Sequence, residues 1–260
     1  MRVRDKVVVV TGAAGGIGRA LARRFAAEGA AGVVVADLDE AGAAAVAEEI
    51  GSRAVPVHVD VSSEEQVAGL ADTPFGPVDL FCSNAGISAA HGLDASEQEW
   101  RDLHAVNVMA HVYAARAVIP AMIDRGGGYL LNTCSAAGLL SCPGDAPYAV
   151  TKAAAVAFAE WVAIHYAPKG IKVSVLCPLG VRTAMLEKGL GSDHLAFKAV
   201  YASGPILDPA DVATSVIDGL DAERFHIFPH PEVAEFVHLK AEDTDRWLAG
   251  MSDFVLSLEP

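Results

Sequence analysis

The chain has 260 residues, of which 52% are hydrophobic and 20% are charged, and its formal net charge is −14. This length suffices for one large domain with a full core, and the composition is typical of a globular chain rather than a disordered one. The negative charge disfavours nucleic acids and anionic membranes as main partners, because both bind basic surfaces.

The N-terminus and the cysteines indicate a cytoplasmic protein. The first eleven residues contain no signal-peptide apolar region and no cleavage site, and no apolar run is long enough to predict a membrane span. No cysteine pair has CxxC spacing, and no histidine cluster accompanies the cysteines at zinc-site spacing. We therefore expect no metal site and four reduced thiols, at Cys82, Cys134, Cys142 and Cys177.

Runs of β-branched and apolar residues alternate with helical patterns along the chain. The predicted strands are 6–11, 32–37, 54–61, 78–82, 128–134, 171–177 and 224–228. This alternation is typical of βαβ units with right-handed crossovers. The sequence therefore predicts a single α/β domain over residues 1–260, a doubly wound Rossmann fold with a mainly parallel seven-stranded sheet and helices on both faces.

A glycine-rich segment joins the first predicted strand to the first predicted helix. Gly12, Gly16 and Gly18, with Ile17 between the last two, would let the backbone turn tightly and approach a pyrophosphate at the helix N-terminus. The spacing is not that of the commoner G-x-G-x-x-G fingerprint. A glycine-rich turn that binds nothing is the alternative interpretation.

Two aspartates end the next two predicted strands. Asp37 lies about 20 residues after the glycines, where a carboxylate accepts hydrogen bonds from the adenosine ribose. It would repel a 2′-phosphate and no arginine follows directly, which favours NAD over NADP. Asp37 could equally be an N-cap for the following helix, and both roles are compatible. Asp60, followed by Val61, would lie near the adenine; a helix or turn cap is an equally good interpretation of Asp60.

A tyrosine and a lysine lie four residues apart at the start of a long predicted helix. Pro147 indicates the first helical turn, so Tyr148 and Lys152 share one helix face. A nearby cation typically lowers a phenol pKa by roughly 1–3 units from about 10, which would let Tyr148 exchange protons near neutral pH. The alternative is two neighbouring surface residues.

Other polar residues map to the same end of the predicted sheet. Ser135 follows the fifth strand, while the segments 84–86 and 178–180 follow the fourth and sixth. Open α/β sheets bind ligands at the carboxyl ends of their strands. Asn107 falls on the apolar stripe of the helix predicted over 96–124 and is either a satisfied core amide or a site residue.

The order of these motifs resembles that of the short-chain dehydrogenase/reductase family, in its short single-domain branch. The resemblance covers nearly the whole chain and rests on the complete set of motifs rather than on one of them. They are Thr11-Gly12-x-x-x-Gly16-Ile17-Gly18, Asp60, Asn84-Ala85-Gly86, Asn107, Ser135, Tyr148-x-x-x-Lys152 and Pro178 through Val181 to Thr183.

The resemblance implies an NAD-dependent oxidoreductase that interconverts a secondary alcohol and a ketone. It implies that Tyr148 is the general acid/base and that Lys152 lowers its pKa and holds the nicotinamide ribose. It assigns Ser135 to the substrate oxygen and Asn107 to a water relay reaching Lys152. The other motif residues, with Asp37 and Val61, would contact the cofactor. Leu179 departs from the family, which usually has glycine directly after the proline.

The resemblance also implies a substrate cover and an oligomer. Residues 179–208 would cover an apolar substrate or only pack on the core, and His91, His194, Leu139 and Leu140 are weaker candidates for the pocket. The Tyr148 helix is apolar nearly all round, which fits a homodimer or homotetramer. Two alternatives remain, a non-catalytic NAD-binding protein and a nucleotide-sugar epimerase or dehydratase. The glycine spacing and the short C-terminus argue against the second.

Overall fold

The computed structural model describes residues 1–258, and its centre is a seven-stranded sheet. Every neighbouring pair of strands is parallel, and the order across the sheet is β3-β2-β1-β4-β5-β6-β7. The strands are β1 (Val7–Thr11), β2 (Gly32–Asp37), β3 (Ala54–His58), β4 (Leu80–Ser83), β5 (Gly128–Thr133), β6 (Ile171–Leu176) and β7 (His226–Ile227). The chain starts in the middle, runs to one edge and returns to build the other half, which confirms the predicted doubly wound fold.

Helices follow most strands and cover both faces of the sheet. They are α1 (Gly16–Ala27), α2 (Glu40–Ile50), α3 (Glu64–Gly69), α4 (Glu97–His104), α5 (Ala110–Asp124), α6 (Ala137–Leu140), α7 (Ala146–Tyr166), α8 (Ala184–Glu187), α9 (Leu195–Ala202), α10 (Pro209–Asp221), α11 (Glu232–Glu242) and α12 (Thr244–Leu258). A π-helical turn, Ala105–Met109, joins α4 to α5.

Two apolar cores lie on opposite faces of the sheet. Successive residues of a strand point to opposite faces, so Val8 and Val10 belong to the core under α1, α2 and α10, whereas Val9 belongs to the core under α3, α5 and α7. This explains the continuous valine run of β1, because a strand covered by helices on both sides has no polar face.

Some element boundaries differ from the predicted ones. β3 ends at His58 rather than at residue 61, because Asp60 turns its backbone N–H to the Gln66 side chain and its carboxylate to Ser62. The C-terminal helical region continues to Leu258 as two helices.

The longest helical segment is Glu97–Asp124, with 28 residues. By length and composition alone it could cross a membrane, contrary to the sequence prediction. Half of its most apolar stretch is buried inside the fold, and Ala114, Val118 and Met122 pack against the sheet. It is therefore a core helix.

Candidate active site

A cavity of about 390 Å³ lies at the carboxyl edge of the sheet. Its walls come from the loop after β1, the ends of β4, β5 and β6, the first turns of α7, and the segment that contains α8 and α9. Of the residues predicted for the site, those that line this cavity are Gly12, Gly16, Ile17, Asn84, Ala85, Gly86, Ser135, Tyr148, Lys152, Pro178, Val181 and Thr183.

Tyr148 reaches the cavity from the first turn of α7. The helix begins at Ala146, with Pro147 in its first turn as predicted, and Asp145 is the N-cap. The Asp145 carboxylate accepts a hydrogen bond from the Tyr148 backbone N–H at 3.2 Å. A capped first turn has a fixed direction, so the phenol is held toward the cavity.

Lys152 follows one turn later and is buried. Its ammonium donates a hydrogen bond to the Thr133 carbonyl oxygen at 2.9 Å and lies 5.7 Å from the centre of the Tyr148 ring. Burial lowers the pKa of Lys152, because the charged form loses hydration. The predicted approach of the amine to the phenol is therefore present, with one of three ammonium hydrogens used by β5.

The pKa of Tyr148 is raised by burial, and the nearby Ser135 hydroxyl opposes this rise only in part. Nearby Cys142 and Asp145 favour the neutral phenol further. The predicted lowering of this pKa by Lys152 is therefore wrong for this structure. Desolvation of the phenolate outweighs an ammonium that is itself desolvated and hydrogen-bonded elsewhere.

Ser135 comes directly after β5, on the cavity wall. Its hydroxyl oxygen accepts a hydrogen bond from the Ala137 N–H at 3.1 Å and lies 3.5 Å from the Pro178 carbonyl oxygen. The hydroxyl is thus held between the ends of β5 and β6, next to the Tyr148 phenol. Two hydroxyls at one point of a cavity wall can hold one substrate oxygen.

Asn107 lies in the π-helical turn between α4 and α5 and is fully buried. Its carbonyl oxygen accepts from the Ile87 N–H at 2.9 Å, while its amide donates to the Ile87 carbonyl oxygen at 2.9 Å and to the Thr151 hydroxyl at 3.1 Å. A Cβ on Gly86 would meet both the Lys152 ammonium, at 3.1 Å, and the Asn107 carbonyl oxygen, at 3.3 Å. Asn107 is thus a satisfied amide that also borders the site.

The glycine-rich loop packs tightly against the end of β4. Gly12 has a positive φ of 65°, and a Cβ on Gly18 would overlap the Gly12 carbonyl oxygen. No side chain caps α1, so its first N–H groups stay open, whereas Asp39 caps α2 and Ser96 caps α4. An uncapped N-terminus behind a glycine loop suits an anion.

Asp37, Asp60 and Val61 lie at the ends of β2 and β3, outside the main cavity. The Asp37 carboxylate accepts hydrogen bonds from the Ala14 N–H at 2.8 Å and the Asp39 N–H at 3.0 Å, which ties β2 to the glycine loop. Asp60 caps the turn that leads to α3. Its alternative interpretation as a cap is therefore confirmed.

The Asn84 side chain joins three strand ends. Its amide donates to the Thr11 carbonyl oxygen at 3.0 Å, and its carbonyl oxygen accepts from the Thr133 hydroxyl at 3.1 Å. Because these bonds run to β1 and β5, the side chain of Asn84 holds the floor of the site together. Ala85 and Gly86 continue along the cavity wall.

Part of the predicted cover reaches the cavity. Met185, Leu186, Phe197 and Val200 line it, but Leu190, Leu195 and Tyr201 do not. His91 and His194 stay outside as well: the first bonds to Glu99 at 2.7 Å, and the second caps α9. Leu139 does not line the cavity, and Leu140 lines a neighbouring one.

Sequence reasoning missed two buried polar residues near the site. Asp145 accepts bonds from Ser88 at 2.6 Å and Ala90 at 2.9 Å in addition to Tyr148, and its place before Ala146-Pro147 was an available N-cap signal. His111 is buried in α5, and burial, with the Lys152 charge adding to it, lowers its pKa to about 3. A lone histidine on an apolar helix carried no such signal.

Known proteins resemble this chain in sequence over nearly its whole length. A family model described as short chain dehydrogenase matches residues 6–191. A 1-deoxy-11-beta-hydroxypentalenate dehydrogenase of Streptomyces exfoliatus is 35% identical over 262 residues, which cover 95% of this chain and 90% of that protein. A 3beta-hydroxysteroid dehydrogenase of Mediterraneibacter gnavus is 30% identical over 259 residues, 96% of this chain and 92% of that protein.

The fold also matches a solved structure. A short chain dehydrogenase/reductase from Burkholderia phymatum, in complex with NAD, superposes with a TM-score of 0.85 at 31% identity and covers 94% of this chain and 96% of that one. Sequence, fold and the arrangement of residues at the sheet edge therefore agree. The chain belongs to the short-chain dehydrogenase/reductase family of oxidoreductases.

Proposed function

We propose that this protein is an NAD-dependent alcohol dehydrogenase that interconverts a secondary alcohol and a ketone. The observation that carries the proposal is the meeting of Tyr148, Ser135 and Lys152 on one cavity wall, opposite the glycine-rich loop. The test is a panel of secondary alcohols and ketones scored by NADH absorbance, with NADP(H) in parallel. Cofactor binding without turnover across the panel would favour the non-catalytic alternative.

The chain's own residues fit a dinucleotide. Gly18 packs so closely against Gly12 that a Cβ would overlap the Gly12 carbonyl oxygen, which holds the loop in a tight turn, and the uncapped α1 offers N–H groups to a pyrophosphate. Thr183 lies across from this loop, since a Cβ on Gly16 would come within 3.0 Å of its methyl group. We assign the pyrophosphate to the part of the cavity that Gly16, Ile17 and Thr183 line, and the nicotinamide half to the part that Asn84, Gly86 and Val181 line.

The reaction follows from the positions of three side chains. A bound nicotinamide cofactor would supply the hydride acceptor. Tyr148 takes the hydroxyl proton of the alcohol at its phenolic oxygen, and Ser135 holds the same substrate oxygen by a hydrogen bond. Lys152 donates to the Thr133 carbonyl oxygen and keeps its remaining hydrogens for a ribose hydroxyl and the nearby phenolate. Reduction of a ketone uses the same groups with the proton returned.

Asn107 has a positioning role in this scheme. It holds Ile87 of the loop after β4 and Thr151 of α7 at the same time. Thr151 directly precedes Lys152, so the amide fixes the lysine's helix against the loop that carries Gly86. The relay through water to Lys152 that the family resemblance implies is consistent with this position.

The preference for NAD rests on Asp37. Its carboxylate lies at the end of β2 and bonds to the glycine loop, and the next residues, Leu38, Asp39 and Glu40, supply no cation for a 2′-phosphate. The Burkholderia phymatum relative was solved with NAD, which supports this choice. Asp60 and Val61 would border the adenine side.

Replacing Asp37 by serine is expected to shift cofactor preference. Without the carboxylate, the ratio of kcat/KM for NADP to that for NAD should rise by roughly tenfold or more, since a unit charge at about 4 Å contributes up to ~4 kcal/mol near a protein surface. Glu48→Gln, at the far end of α2, removes one charge elsewhere and is the matched control. An unchanged ratio in Asp37→Ser would remove Asp37 from the cofactor site.

The two reaction directions should respond differently to pH. Burial keeps the Tyr148 phenol protonated at neutral pH, since its pKa is raised above the ordinary value. Ketone reduction needs that proton and should stay flat through neutrality. Alcohol oxidation needs the phenolate, so its kcat/KM should rise about tenfold per pH unit below the pKa of the complex. Measuring kcat/KM against pH in both directions checks this prediction. The same pH dependence for oxidation and reduction would contradict it.

We also propose the wider setting of the enzyme. The outer face of α7 leaves Val150, Trp161 and Ile164 between 53% and 79% exposed, which supports a homodimer or homotetramer formed through this helix. The free thiols, three of them buried, suit a cytoplasmic protein. Residues 179–208, part of which lines the cavity, would cover the substrate within a single domain.

A further inference from the structure

A second chamber of about 250 Å³ lies between the main cavity and the two C-terminal helices. Its outer wall consists of Phe236 from α11 and of Trp247, Met251 and Phe254 from α12. Among the lining residues within the described part of the chain, 1–258, only Ser141 and Ser203 are polar and none is charged. The Ser203 hydroxyl already donates to the Ala199 carbonyl oxygen at 2.6 Å, so the chamber has an almost entirely apolar interior.

The chamber and the main cavity share a wall. Ala136, Ala137, Ser141, Pro143, Leu179 and Ser203 line both spaces. Ala136 directly follows Ser135, so the partition begins beside the hydroxyl that faces Tyr148. The chamber is therefore adjacent to the point at which Ser135 and Tyr148 would hold a substrate oxygen.

Leu179, which departs from the usual family sequence, is held firmly in that wall. Its N–H donates to the Nδ1 atom of His230 at 3.2 Å, and the Nε2 atom of the buried His230 donates to the Pro205 carbonyl oxygen at 3.0 Å. The Leu179 side chain packs against the same small cluster of Ala136, Leu140 and Val233 as Phe236 and Trp247 do. It therefore borders the chamber directly, and His230 fixes its position.

The outer wall has an apolar face that the core does not bury. Trp247, Met251 and Phe254 recur at helical spacing on one side of α12, and no residue of that helix is fully buried. α11 is anchored from the other side by a hydrogen bond from the Lys240 ammonium to the Leu139 carbonyl oxygen. The hydrogen bond from Lys240 thus holds this wall in place, while the apolar side chains of α12 face the chamber.

We propose that this chamber holds the hydrocarbon body of a bulky, uncharged secondary alcohol, with Trp247 and Leu179 selecting for size. The inference rests on the function proposed above and names the substrate class of the same site. The absence of charge among the lining residues excludes an ionic group on that part of the substrate. Each methylene group buried there should raise kcat/KM by about fourfold until the chamber is full.

The first experiment compares decahydro-2-naphthol with cyclohexanol as substrates. Trp247→Ala removes the indole from the outer wall, and Ala202→Trp adds bulk at a residue that lines the chamber but not the main cavity. In both variants the preference for the bulky alcohol, as the ratio of the two kcat/KM values, should fall tenfold or more. Leu248→Ala, an exposed change on the same helix, is the matched control and should keep the ratio.

The second experiment measures binding without turnover. Of the three tryptophans, Trp247 alone lines the chamber, so a Trp100→Phe/Trp161→Phe background makes it the only fluorescent reporter. Decahydro-2-naphthol, without cofactor, should change the Trp247 emission saturably. Ala202→Phe, which adds bulk without a second tryptophan, should move the midpoint of this titration to a higher alcohol concentration. Because this titration leaves the chamber-lining residues of α12 unchanged, it still tests the proposal if Trp247→Ala loses stability.

The outcomes separate the two proposals. If Trp247→Ala and Ala202→Trp turn over both alcohols with an unchanged ratio of kcat/KM values, the proposed role of the chamber is wrong and the dehydrogenase proposal is unaffected. No turnover of any alcohol, with a saturable Trp247 response, would overturn the dehydrogenase instead. A third result would be that the oligomer dissociates in Trp247→Ala and that the protein with Trp247 as its reporter shows no response to the alcohol. It would show that a second copy of the chain covers this face and would also overturn the chamber.

Discussion

Replacing Tyr148 by phenylalanine is expected to lower kcat/KM for a secondary alcohol by roughly 10²–10⁴-fold, the range that a positioned acid/base contributes. The change removes only the phenolic oxygen from a ring held by the first turn of α7 and its Asp145 cap. The ring and the Lys152 ammonium beside it should stay in place. Turnover is measured by NADH absorbance on the best alcohol of the panel.

The same variant should keep its cofactor. NADH affinity, from a fluorescence titration, should remain within about threefold of the wild type, a difference below about 1 kcal/mol. Tyr166→Phe, at the other end of α7, removes a phenolic oxygen remote from the cavity and should keep full activity. Full activity in Tyr148→Phe would refute the acid/base assignment, whereas loss of NADH binding would show that the phenol mainly shapes the cofactor site.

Replacing Gly18 by alanine is expected to damage both folding and cofactor binding. A Cβ there would overlap the Gly12 carbonyl oxygen and come within 2.6 Å of the Asn84 amide, and neither backbone nor a buried hydrogen-bonded amide can move freely. Such overpacking costs about 2–3 kcal/mol, or about 5–10 °C in the unfolding midpoint of a chain of this size. NADH affinity should fall by more than tenfold because the glycine loop moves.

Gly15 offers a matched control in the same loop. A Cβ on Gly15 meets no atom within 4 Å, and its backbone is extended, so alanine fits there. Gly15→Ala should cost at most about 1 kcal/mol, the difference between glycine and alanine as an N-cap. Calorimetry and an NADH titration on both variants test the pair. Equal unfolding midpoints for the two variants would mean that the loop has more room than the structure indicates.

Much of the fold was predictable from the sequence because burial leaves a direct trace. A strand covered on both faces needs apolar side chains at every position, so the valine run of β1 could be located to within one residue. Strand ends were less certain where polar residues compete for the backbone. At Asp60 the carboxylate accepts from the Ser62 hydroxyl and the N–H donates to the Gln66 side chain of α3, and β3 stops early.

The site was predictable in its parts but not in its electrostatics. The carboxyl ends of parallel strands meet at one edge, and this rule alone places Ser135 near the loops after β4 and β6. The rule does not say how deeply each side chain is buried. Whether Lys152 lowers the pKa of Tyr148 depends on how far burial removes water from both groups, and that is a property of the packed structure rather than of the four-residue spacing.

Contacts between residues distant in the sequence also left no readable signal. The hydrogen bond from Leu179 to His230 spans 51 residues, and although Leu179 stood out as a departure from the family sequence, nothing pointed to His230 as its partner. The same holds for Asp145, whose bonds to Ser88 and Ala90 cross 57 and 55 residues. Such pairs become visible only when the chain is folded.

The wide turn at Ala105–Met109 has a geometric consequence for the two halves of its helix. Each residue of an α-helix advances the side chains by 100°, so the extra residue that a π turn accommodates rotates α4 about its axis relative to α5. That rotation lets Asn107 face Ile87 and Thr151 while Ala114 and Val118 keep facing the sheet. Deleting one residue from the turn would restore regular pitch and swing the amide away from one of its two neighbours.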